Sequence, residues 1–350
     1  MRLFPKKRGA HRFNVSGIAR RCDYVILSSS VEPHTYLHCN AYTRNPRHIF
    51  LSLRNPVPAL RFFAERLLPS LELPFVLVSG SEDITIPHQT DYRFTSFESK
   101  ELSMIDNILR SDKLLHWFCE NLDDGGHPLM SPLPTGMVFR DSSRVPTVPV
   151  PEVTPLWNRQ TRVLCAHRIR EGPQWQKRRD VTSLAKSDWS EWCTVVKEEV
   201  PKKEFLELIR SHAFVLCVEG GGLDPSPKAW ETILNGAIPI VRSSPSSAAY
   251  GVLPVAFVSS WSKKSLTYDK IKEWHSYFSK EYNQKFFRSK IIHKLSIDYW
   301  WNKILLKSRD KGDCDSEISV LIDQMNRFFS ANFEFIISSA KRRLSSVLGN

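Results

Sequence analysis

The chain has 350 residues, of which 41% are hydrophobic and 25% are charged, a composition that excludes a wholly disordered protein. This length exceeds what one hydrophobic core usually holds, so we expect two domains. Lysine and arginine number 49 against 37 acidic residues, which gives a net charge of +12. Such a surplus favours an anionic partner, whether nucleic acid, an anionic lipid surface or a phosphate-bearing small molecule.

The apolar runs of the chain are short. The strongest of them, residues 213–218 and 251–258, fall well below the ~18 residues that a membrane helix requires. The first 21 residues are basic and lack the apolar segment of a signal peptide, so we expect a soluble, cytoplasmic protein. The seven cysteines include no Cys-x-x-Cys pair, and Cys165 and Cys217 lie in apolar runs. They indicate buried thiols rather than a zinc ribbon or a disulfide framework.

Short apolar strands alternate with amphipathic helices along most of the chain. The predicted strands cover residues 24–27, 48–53, 75–79, 162–166, 213–218 and 238–241, and the predicted helices cover residues 56–68, 100–109 and 202–211. This alternation predicts an α/β fold in which helices cover both faces of a parallel sheet.

Residues 141–155 interrupt the alternation with four prolines and no periodicity, as in a semi-rigid linker. We therefore predict two facing Rossmann-like domains with an interdomain cleft, residues 1–150 and 151–305. Ligands of such sheets bind beyond the carboxyl ends of the strands. Residues 306–350 have helical periodicity and are expected to pack back on the N-terminal domain. Their basic end, residues 341–343, leaves contact with an anionic membrane surface as the alternative.

The segment between residues 213 and 241 is the most informative part of the chain. Its predicted strand is followed by three consecutive glycines, Gly220, Gly221 and Gly222. Glycine tolerates positive φ angles and leaves backbone N–H groups open to a closely approaching ligand. Ser226 is a favourable N-cap for the helix that follows. The unit is therefore a strand, a glycine loop and a helix whose amino terminus points at the loop.

A helix amino terminus beside a glycine loop is a ready anion site. Lys228 adds a positive charge in the first turn of this helix, and Glu231 lies one turn further along the same face. A carboxylate there could accept hydrogen bonds from two neighbouring sugar hydroxyls. Phosphate and vicinal diol together describe a nucleotide, although the spacing matches neither a P-loop nor the dinucleotide fingerprint. An ordinary surface turn with a solvated Lys228–Glu231 pair is the alternative.

The string GGGLDPSPKAWETILNGAIPIV, residues 220–241, resembles the motif of the exostosin-like glycosyltransferases, family 47. The flanking residues 243–245 and 299–301 and the upstream segments 78–83, 117–121 and 132–136 are similar to landmarks of the same family. The resemblance implies a GT-B fold. It also implies a nucleotide-sugar donor, usually a UDP-sugar, in the C-terminal domain, an acceptor in the N-terminal domain, and inversion at the anomeric carbon.

The same resemblance implies roles for particular residues in the donor site. Lys228 and the amides of Gly220, Gly221 and Gly222 would hold the diphosphate, next to Ser226, and Glu231 would bind the ribose. Lys228 stands where the family usually has arginine, so it keeps the charge but loses the bidentate fork. Arg168 follows the predicted strand 162–166 and is the candidate for a second phosphate contact, with a free surface arginine as the alternative. Trp230 is expected in the core.

An inverting transfer requires a general base within hydrogen-bond reach of the acceptor hydroxyl. Asp83, which follows the predicted strand 75–79, is the first candidate, and Asp23, His88 and Asp91 are the alternatives. No metal or other cofactor is required by this hypothesis. Asp313, Cys314 and Asp315 mimic a metal motif but lie in a polar stretch typical of a surface loop. His34 and His38 could bind zinc only if they shared a helix face, and no second pair accompanies them.

The leading hypothesis is therefore a glycosyltransferase that acts on an oligosaccharide or glycan acceptor. A basic nucleic-acid-binding protein is one alternative, which the dispersed positive charge and the lack of a nucleic-acid-binding motif disfavour. A non-catalytic homologue that binds a nucleotide or sugar and lacks the base is the other.

Overall fold

A computed structural model describes residues 15–29, 34–136, 151–196, 198–220, 222–225 and 227–308, which belong to one compact unit ending at Ser308. Several predictions lie outside the described residues. They concern residues 1–14 of the basic amino-terminal segment, most of the proline-rich segment 141–155, the segment after Ser308, the motif Asp313–Cys314–Asp315, and the single residues Gly221 and Ser226. The division into domains at residue 150 stays a prediction.

The first sheet has six strands in the order β2-β1-β3-β4-β5-β6. Its strands are β1 (Tyr24–Leu27), β2 (Tyr36–Cys39), β3 (His48–Ser52), β4 (Phe75–Gly80), β5 (Leu114–Cys119) and β6 (Met130–Pro132). All neighbours are parallel except β2, which pairs antiparallel with β1 at the edge.

The second sheet has five strands, all parallel, in the order β11-β10-β9-β7-β8. Its strands are β7 (Gln160–Cys165), β8 (Cys193–Val195), β9 (His212–Leu216), β10 (Ile238–Arg242) and β11 (Ala256–Val258). Every residue of β4 and of β9 is buried, as expected for parallel strands covered on both faces. The predicted mixed α/β class with parallel strands is confirmed.

Eight α-helices lie within the described ranges. They are α1 (Pro56–Arg61), α2 (Ser99–Leu109), α3 (Gln176–Lys186), α4 (Lys202–Ser211), α5 (Pro227–Leu234), α6 (Tyr268–Tyr282), α7 (Phe287–Lys294) and α8 (Ile297–Lys307). The predicted helix 56–68 is only partly regular, because α1 gives way to a π-helical turn, Phe62–Leu67. None of the helices described here combines the length and apolar character needed to cross a bilayer.

The two sheets share one hydrophobic cluster, which includes Val78 and Phe118 from the first sheet and Val215 from the second. Trp230 of α5 is fully buried in this cluster, as predicted, and its indole N–H donates to the carbonyl oxygen of Leu295 at 3.2 Å. Burial of an indole is favourable when its N–H finds such a partner. The helix of the glycine-loop unit is therefore anchored in the core that joins the sheets.

The expectations for the histidine pair and for the cysteines have different outcomes. The possibility that His34 and His38 share a helix face, which the lack of a second pair already disfavoured, is excluded because His38 lies in β2, an exposed edge strand. Within the described part of the chain, no three metal-ligating side chains come together as a metal site would require. The thiols of Cys165 and Cys217 are buried, as expected, whereas Cys39 is exposed.

Candidate functional site

The loops that follow the carboxyl ends of strands in both sheets meet at one pocket. Thr90, Asp91, Tyr92 and Arg93, from the loop between β4 and α2, line one side. Lys177 of α3 and Glu219, Gly220, Gly222 and Leu223, which follow β9, line the other. Ligands of parallel α/β sheets bind at this edge, so the pocket is the candidate functional site. The glycine loop, residues 219–225, forms one wall of it.

Helix α5 begins at Pro227, directly after Ser226, the predicted N-cap. Pro227 has a fixed φ suited to a helix start, and its missing N–H removes one group that would otherwise need a partner. The helix ends at Leu234, two residues before Gly236, whose φ of +77° is in the left-handed region that favours glycine. The local unit of strand, glycine loop and helix therefore forms as the sequence predicts.

Three amide groups of the glycine loop donate to side chains that follow strands of the first sheet. The Gly222 N–H donates to Asp91 Oδ2 at 3.0 Å. The N–H groups of Leu223 and Asp224 both donate to Asn121 Oδ1, at 2.8 and 3.0 Å. The predicted role of the Gly222 amide in holding a diphosphate therefore requires that Asp91 first give way.

Gly220 packs against Arg178 of α3. A Cβ at position 220 would lie only 3.0 Å from Arg178 Cζ, so the guanidinium occupies the space that any other residue would need. One Nη of Arg178 donates to the Val218 carbonyl at 3.4 Å, and the guanidinium stacks 4.8 Å from the centre of the Trp175 ring. Its Nε is buried and has no hydrogen-bond partner among the described residues. This places an incompletely satisfied cation beside the glycine loop.

Glu219 is a buried carboxylate three residues after the end of β9, with 5% of its side chain exposed. It accepts from Lys177 Nζ at 2.9 Å, from Arg242 Nε, and from the indole N–H of Trp261 at 3.0 Å. Burial alone would raise its pKa, but the charges of Lys177 and Arg242 lower the pKa below its usual range. Glu219 therefore stays ionised and holds the cations in place around the pocket.

Lys228 lies in the first turn of α5, and its Nζ donates to the Ala166 carbonyl at 2.8 Å, just after β7. Burial lowers the pKa of this ammonium to about 8, and the neighbouring charge of Arg178 adds to the effect. Most of the group is still protonated at neutral pH. The structure thus brings Lys228, a predicted site residue, close to Arg178 at the strand ends.

The structure pairs the two remaining predicted donor-site side chains with other residues. Glu231 forms an ion pair with Lys202, at the start of α4, and its side chain is 18% exposed. Arg168 pairs with Glu199 at 3.1 Å and is 61% exposed, so it lies on the surface after β7. The predicted roles of Glu231 in ribose binding and of Arg168 in phosphate binding stay predictions.

The predicted base, Asp83, lies in the loop after β4 and is 36% exposed. Arg93 bridges it to Asp91, with Nη2 at 3.1 Å from Asp83 Oδ2 and also bonded to Asp91 Oδ2. Burial alone would raise the pKa of Asp91, but its hydrogen bonds from Arg93 and Gly222 lower it. His88 is exposed and pairs with Asp124. Three of the four candidate bases therefore follow the same strand, β4.

The fourth candidate, Asp23, is wrong for a base in this cleft. It precedes β1 and accepts from the backbone N–H groups of Arg47 and His48 at 2.8 and 2.9 Å. These residues stand at the amino ends of parallel strands, at the edge of the sheet away from the pocket. Asp23 therefore links the amino ends of β1 and β3 and does not lie at the carboxyl edge of the sheet.

Sequence reasoning missed Asn121, Lys177 and Arg178 as members of the site. The run Lys177-Arg178-Arg179 after Trp175 is a local signal that could have been used, since basic residues just beyond a strand and loop favour an anion site. Asn121 ends the family-like segment 117–121, but its partners in the glycine loop lie about one hundred positions away, so no local pattern reveals their contact.

Comparison with known proteins adds no relative: no protein-family model and no curated protein matches the chain. The site is therefore defined by its own geometry. That geometry is a cleft between two sheet edges, lined by Lys177 and Glu219 on one side and by Asp91 and Arg93 on the other. Arg178 packs against Gly220, Lys228 lies in the first turn of α5, and Asp83 pairs with Arg93. Such an arrangement can bind a ligand that carries an anionic group and present its other end to a carboxylate.

Proposed function

We propose that the protein is an inverting glycosyltransferase of GT-B architecture. It moves a sugar from a nucleotide-sugar, most simply a UDP-sugar, to a hydroxyl of an oligosaccharide or glycan acceptor. The observation that carries the proposal is the pocket where the carboxyl-end loops of two α/β sheets meet, with the family-like glycine loop as one wall. An enzyme with two different substrates can bind one on each sheet across such a cleft.

On the donor side, the diphosphate would bind between Lys177, Arg178 and Lys228. Arg178 suits this role better than Arg168, because its guanidinium lies against Gly220 and its buried Nε has no hydrogen-bond partner among the residues that the structure describes. Arg168 is exposed and already paired with Glu199. Cations in a partly buried site stabilise the charge that develops on a leaving diphosphate.

On the acceptor side, Asp83 would act as the general base. The acceptor oxygen forms a bond to the anomeric carbon as the bond from that carbon to the diphosphate oxygen breaks. The proton of the acceptor hydroxyl passes to the Asp83 carboxylate, and the nucleoside diphosphate leaves with the bonding electron pair. A single displacement of this kind inverts the anomeric centre. Arg93, which contacts Asp83, orients the carboxylate.

The first test is a calorimetric titration of UDP and of GDP into three proteins: wild type, Glu231→Ala and Lys202→Ala. Glu231 and Lys202 form one ion pair, so each variant breaks that pair, but only the first removes the carboxylate. If Glu231 binds the ribose, Glu231→Ala weakens UDP binding more than tenfold, whereas Lys202→Ala changes it less than threefold. Saturable UDP binding then justifies a screen of UDP-sugars for hydrolysis and transfer.

Two outcomes contradict the donor-site assignment. If neither nucleotide binds at millimolar concentration, the site is not a uridine or guanosine nucleotide site, and nucleic acid becomes the partner to test for the +12 charge. If both variants weaken UDP binding equally, Glu231 acts through its ion pair with Lys202 rather than through contact with the ribose.

One observation favours a second candidate, a non-catalytic nucleotide- or sugar-binding protein. Asp83 is paired with Arg93, so its carboxylate already has a partner with which an acceptor hydroxyl would have to compete. Such a protein would bind UDP with the expected dependence on Glu231 but hydrolyse and transfer no sugar. Turnover of any nucleotide-sugar decides between the two candidates.

A further inference from the structure

Asn121 stands at the carboxyl edge of the first sheet, two residues after the end of β5. Its φ is +56°, in the left-handed region, and only 2% of the residue is exposed. Non-glycine residues adopt this conformation rarely, and it persists where the surrounding structure holds it. The contacts of Asn121 therefore indicate why its backbone is held in the left-handed conformation.

Those contacts join the loops of both sheets. Asn121 Oδ1 accepts from the backbone N–H groups of Leu223 and Asp224, at 2.8 and 3.0 Å. Asn121 Nδ2 donates to the Glu82 carbonyl at 3.2 Å, next to Asp83. The main-chain carbonyl of Asn121 also accepts from the Ile86 N–H at 3.2 Å. One buried side chain thus ties the glycine loop to the loop that carries the candidate base.

Gly222 makes this approach possible. Its φ is +48°, and a Cβ at this position would lie 2.8 Å from Asn121 Cγ, closer than real Cβ atoms come to such a neighbour. Gly222 is therefore required by the contact between the sheets. The amides of Gly222, Leu223 and Asp224 all point to side chains of the first sheet instead of into open solvent.

We propose that Asn121 is a positioning residue that sets the separation between Asp83 and the donor site at the glycine loop, a role that rests on the proposed function. The acceptor hydroxyl must be held between the base and the anomeric carbon with both at reacting distance. Misplacement by about 1 Å can reduce a rate on the order of 100-fold. Asn121 acts on this distance without contact to either substrate.

The test uses Asn121→Gly, Asn121→Asp and a control, Phe286→Gly. Glycine accepts the left-handed φ, so Asn121→Gly keeps the backbone favourable while it removes every side-chain bond. Aspartate keeps an acceptor for the Leu223 and Asp224 amides but loses the donor to Glu82. Phe286 also has a left-handed φ of +63°, before α7, so its change to glycine relieves the same kind of strain elsewhere.

The first measurement is hydrogen exchange at the amides of Leu223 and Asp224. We expect exchange at least tenfold faster than wild type in Asn121→Gly, and close to wild type in Asn121→Asp and Phe286→Gly. Unchanged exchange in Asn121→Gly would overturn the proposal, because the side chain would then not hold the loop.

The second measurement is the rate of sugar transfer. We expect Asn121→Gly to lower kcat at least tenfold while the donor KM stays within threefold, and Asn121→Asp to retain more of kcat. A raised donor KM with unchanged kcat would overturn the proposal. If the wild type turns over no nucleotide-sugar, the proposed function fails and the catalytic role of Asn121 fails with it. The exchange result would still decide whether Asn121 holds the glycine loop.

Discussion

The two sheet edges that meet at the pocket carry opposite charge. We call them the acidic edge and the basic edge. The acidic edge, on the first sheet, contains Glu82, Asp83, Asp91 and Glu120, against Arg54 and Arg93. The basic edge, on the second sheet, contains Arg168, Lys177, Arg178, Lys228 and Arg242, together with the buried carboxylates Glu219 and Asp224. The same α/β architecture thus presents two chemically different surfaces across one cleft.

This difference in charge indicates that the two edges suit different chemical groups of a ligand. An edge rich in cations suits an anionic group such as a diphosphate, and an edge rich in carboxylates suits hydroxyl groups and proton abstraction. The hydrogen bonds of Asn121 and Asp91 to the glycine loop hold the two edges together. The predictions below separate the contributions of the two edges.

The largest expected effect concerns the acidic edge. Asp83→Asn keeps the shape of the side chain but removes the base, so transfer slows by roughly 10²–10⁴. We expect the dissociation constant for UDP, measured by calorimetry, to change less than threefold, because the proposed donor site lies at the basic edge. Asp106→Asn, which breaks an exposed Asp–Arg pair on α2, is the control and leaves the rate unchanged. Full activity of Asp83→Asn would transfer the role of base to Asp91 or His88.

The next largest effect is expected from a change of Glu219, the buried carboxylate that contacts Lys177 and Arg242 at the basic edge. Glu219→Gln leaves Lys177 and Arg242 without their counter-charge in a partly buried site, so we expect a loss of about 3 kcal/mol in the free energy of unfolding. Denaturant unfolding measures this loss. Glu199→Gln, which breaks the exposed pair with Arg168, should change it by less than about 0.5 kcal/mol.

The stabilisation by Glu219 also depends on pH. Because its pKa is lowered on folding, the stabilisation is present above the unfolded pKa of about 4.3 and is lost as pH falls through the folded value. The difference in unfolding free energy between wild type and Glu219→Gln should therefore shrink at strongly acidic pH. A difference that stays constant from pH 7 to pH 3 would show that the glutamate acts by packing rather than by charge.

Of the described strands, β5, β6, β8 and β11 were not predicted. Local patterns in the sequence did predict β1, β3, β4, β7, β9, β10 and α5, because burial of apolar runs and the preference of proline for a helix start act over a few residues. They did not predict β2, since its exposed residues 36–39 carry no hydrophobic period. They also assigned Glu231 and Lys228 to one site by helical spacing. In the structure Glu231 bonds to Lys202, which approaches from another helix.

The contacts that define the cleft are long-range. Asn121 meets Leu223 across 102 positions of the chain, and Asp91 meets Gly222 across 131. The packing of the two sheets decides in which direction the amides of the glycine loop point. The pattern of three glycines therefore could not show whether these amides contact a ligand or the other sheet. Likewise, Arg178 is preferred to Arg168 as the phosphate contact because its guanidinium packs against Gly220, a contact that the sequence does not reveal.

A smaller effect is expected from the arginines of the basic edge. Arg178→Met keeps the apolar stem over Trp175 but removes the guanidinium, and should weaken UDP binding about tenfold, or roughly 1.4 kcal/mol. Arg168→Met is the matched control and should change the affinity less than threefold, because Arg168 is exposed and paired with Glu199. Calorimetry on both variants shows which of the two arginines contributes more to UDP affinity. The reverse order would restore Arg168 as the phosphate contact.

The smallest expected effect is a pH dependence that arises from Lys228. Burial lowers the pKa of its ammonium to about 8, so the group is largely protonated at pH 7 and largely neutral at pH 9. An anionic ligand favours the protonated form, so UDP affinity should fall severalfold as pH rises from 7 to 9. The thiols of Cys165 and Cys217, which face Lys228, have pKa values raised by burial and do not ionise in this interval.

Lys228→Arg separates this charge effect from other titrations. Arginine keeps its proton throughout the interval and is the residue that the exostosin-like motif usually has at this position, so the variant should bind UDP with a flat profile from pH 7 to 9. Lys228→Met should be flat as well, but weaker at pH 7. If wild type and Lys228→Arg lose affinity in parallel, another group titrates and Lys228 does not contact the anion. A slope confined to wild type would instead locate the ligand charge at the basic edge, within reach of the first turn of α5.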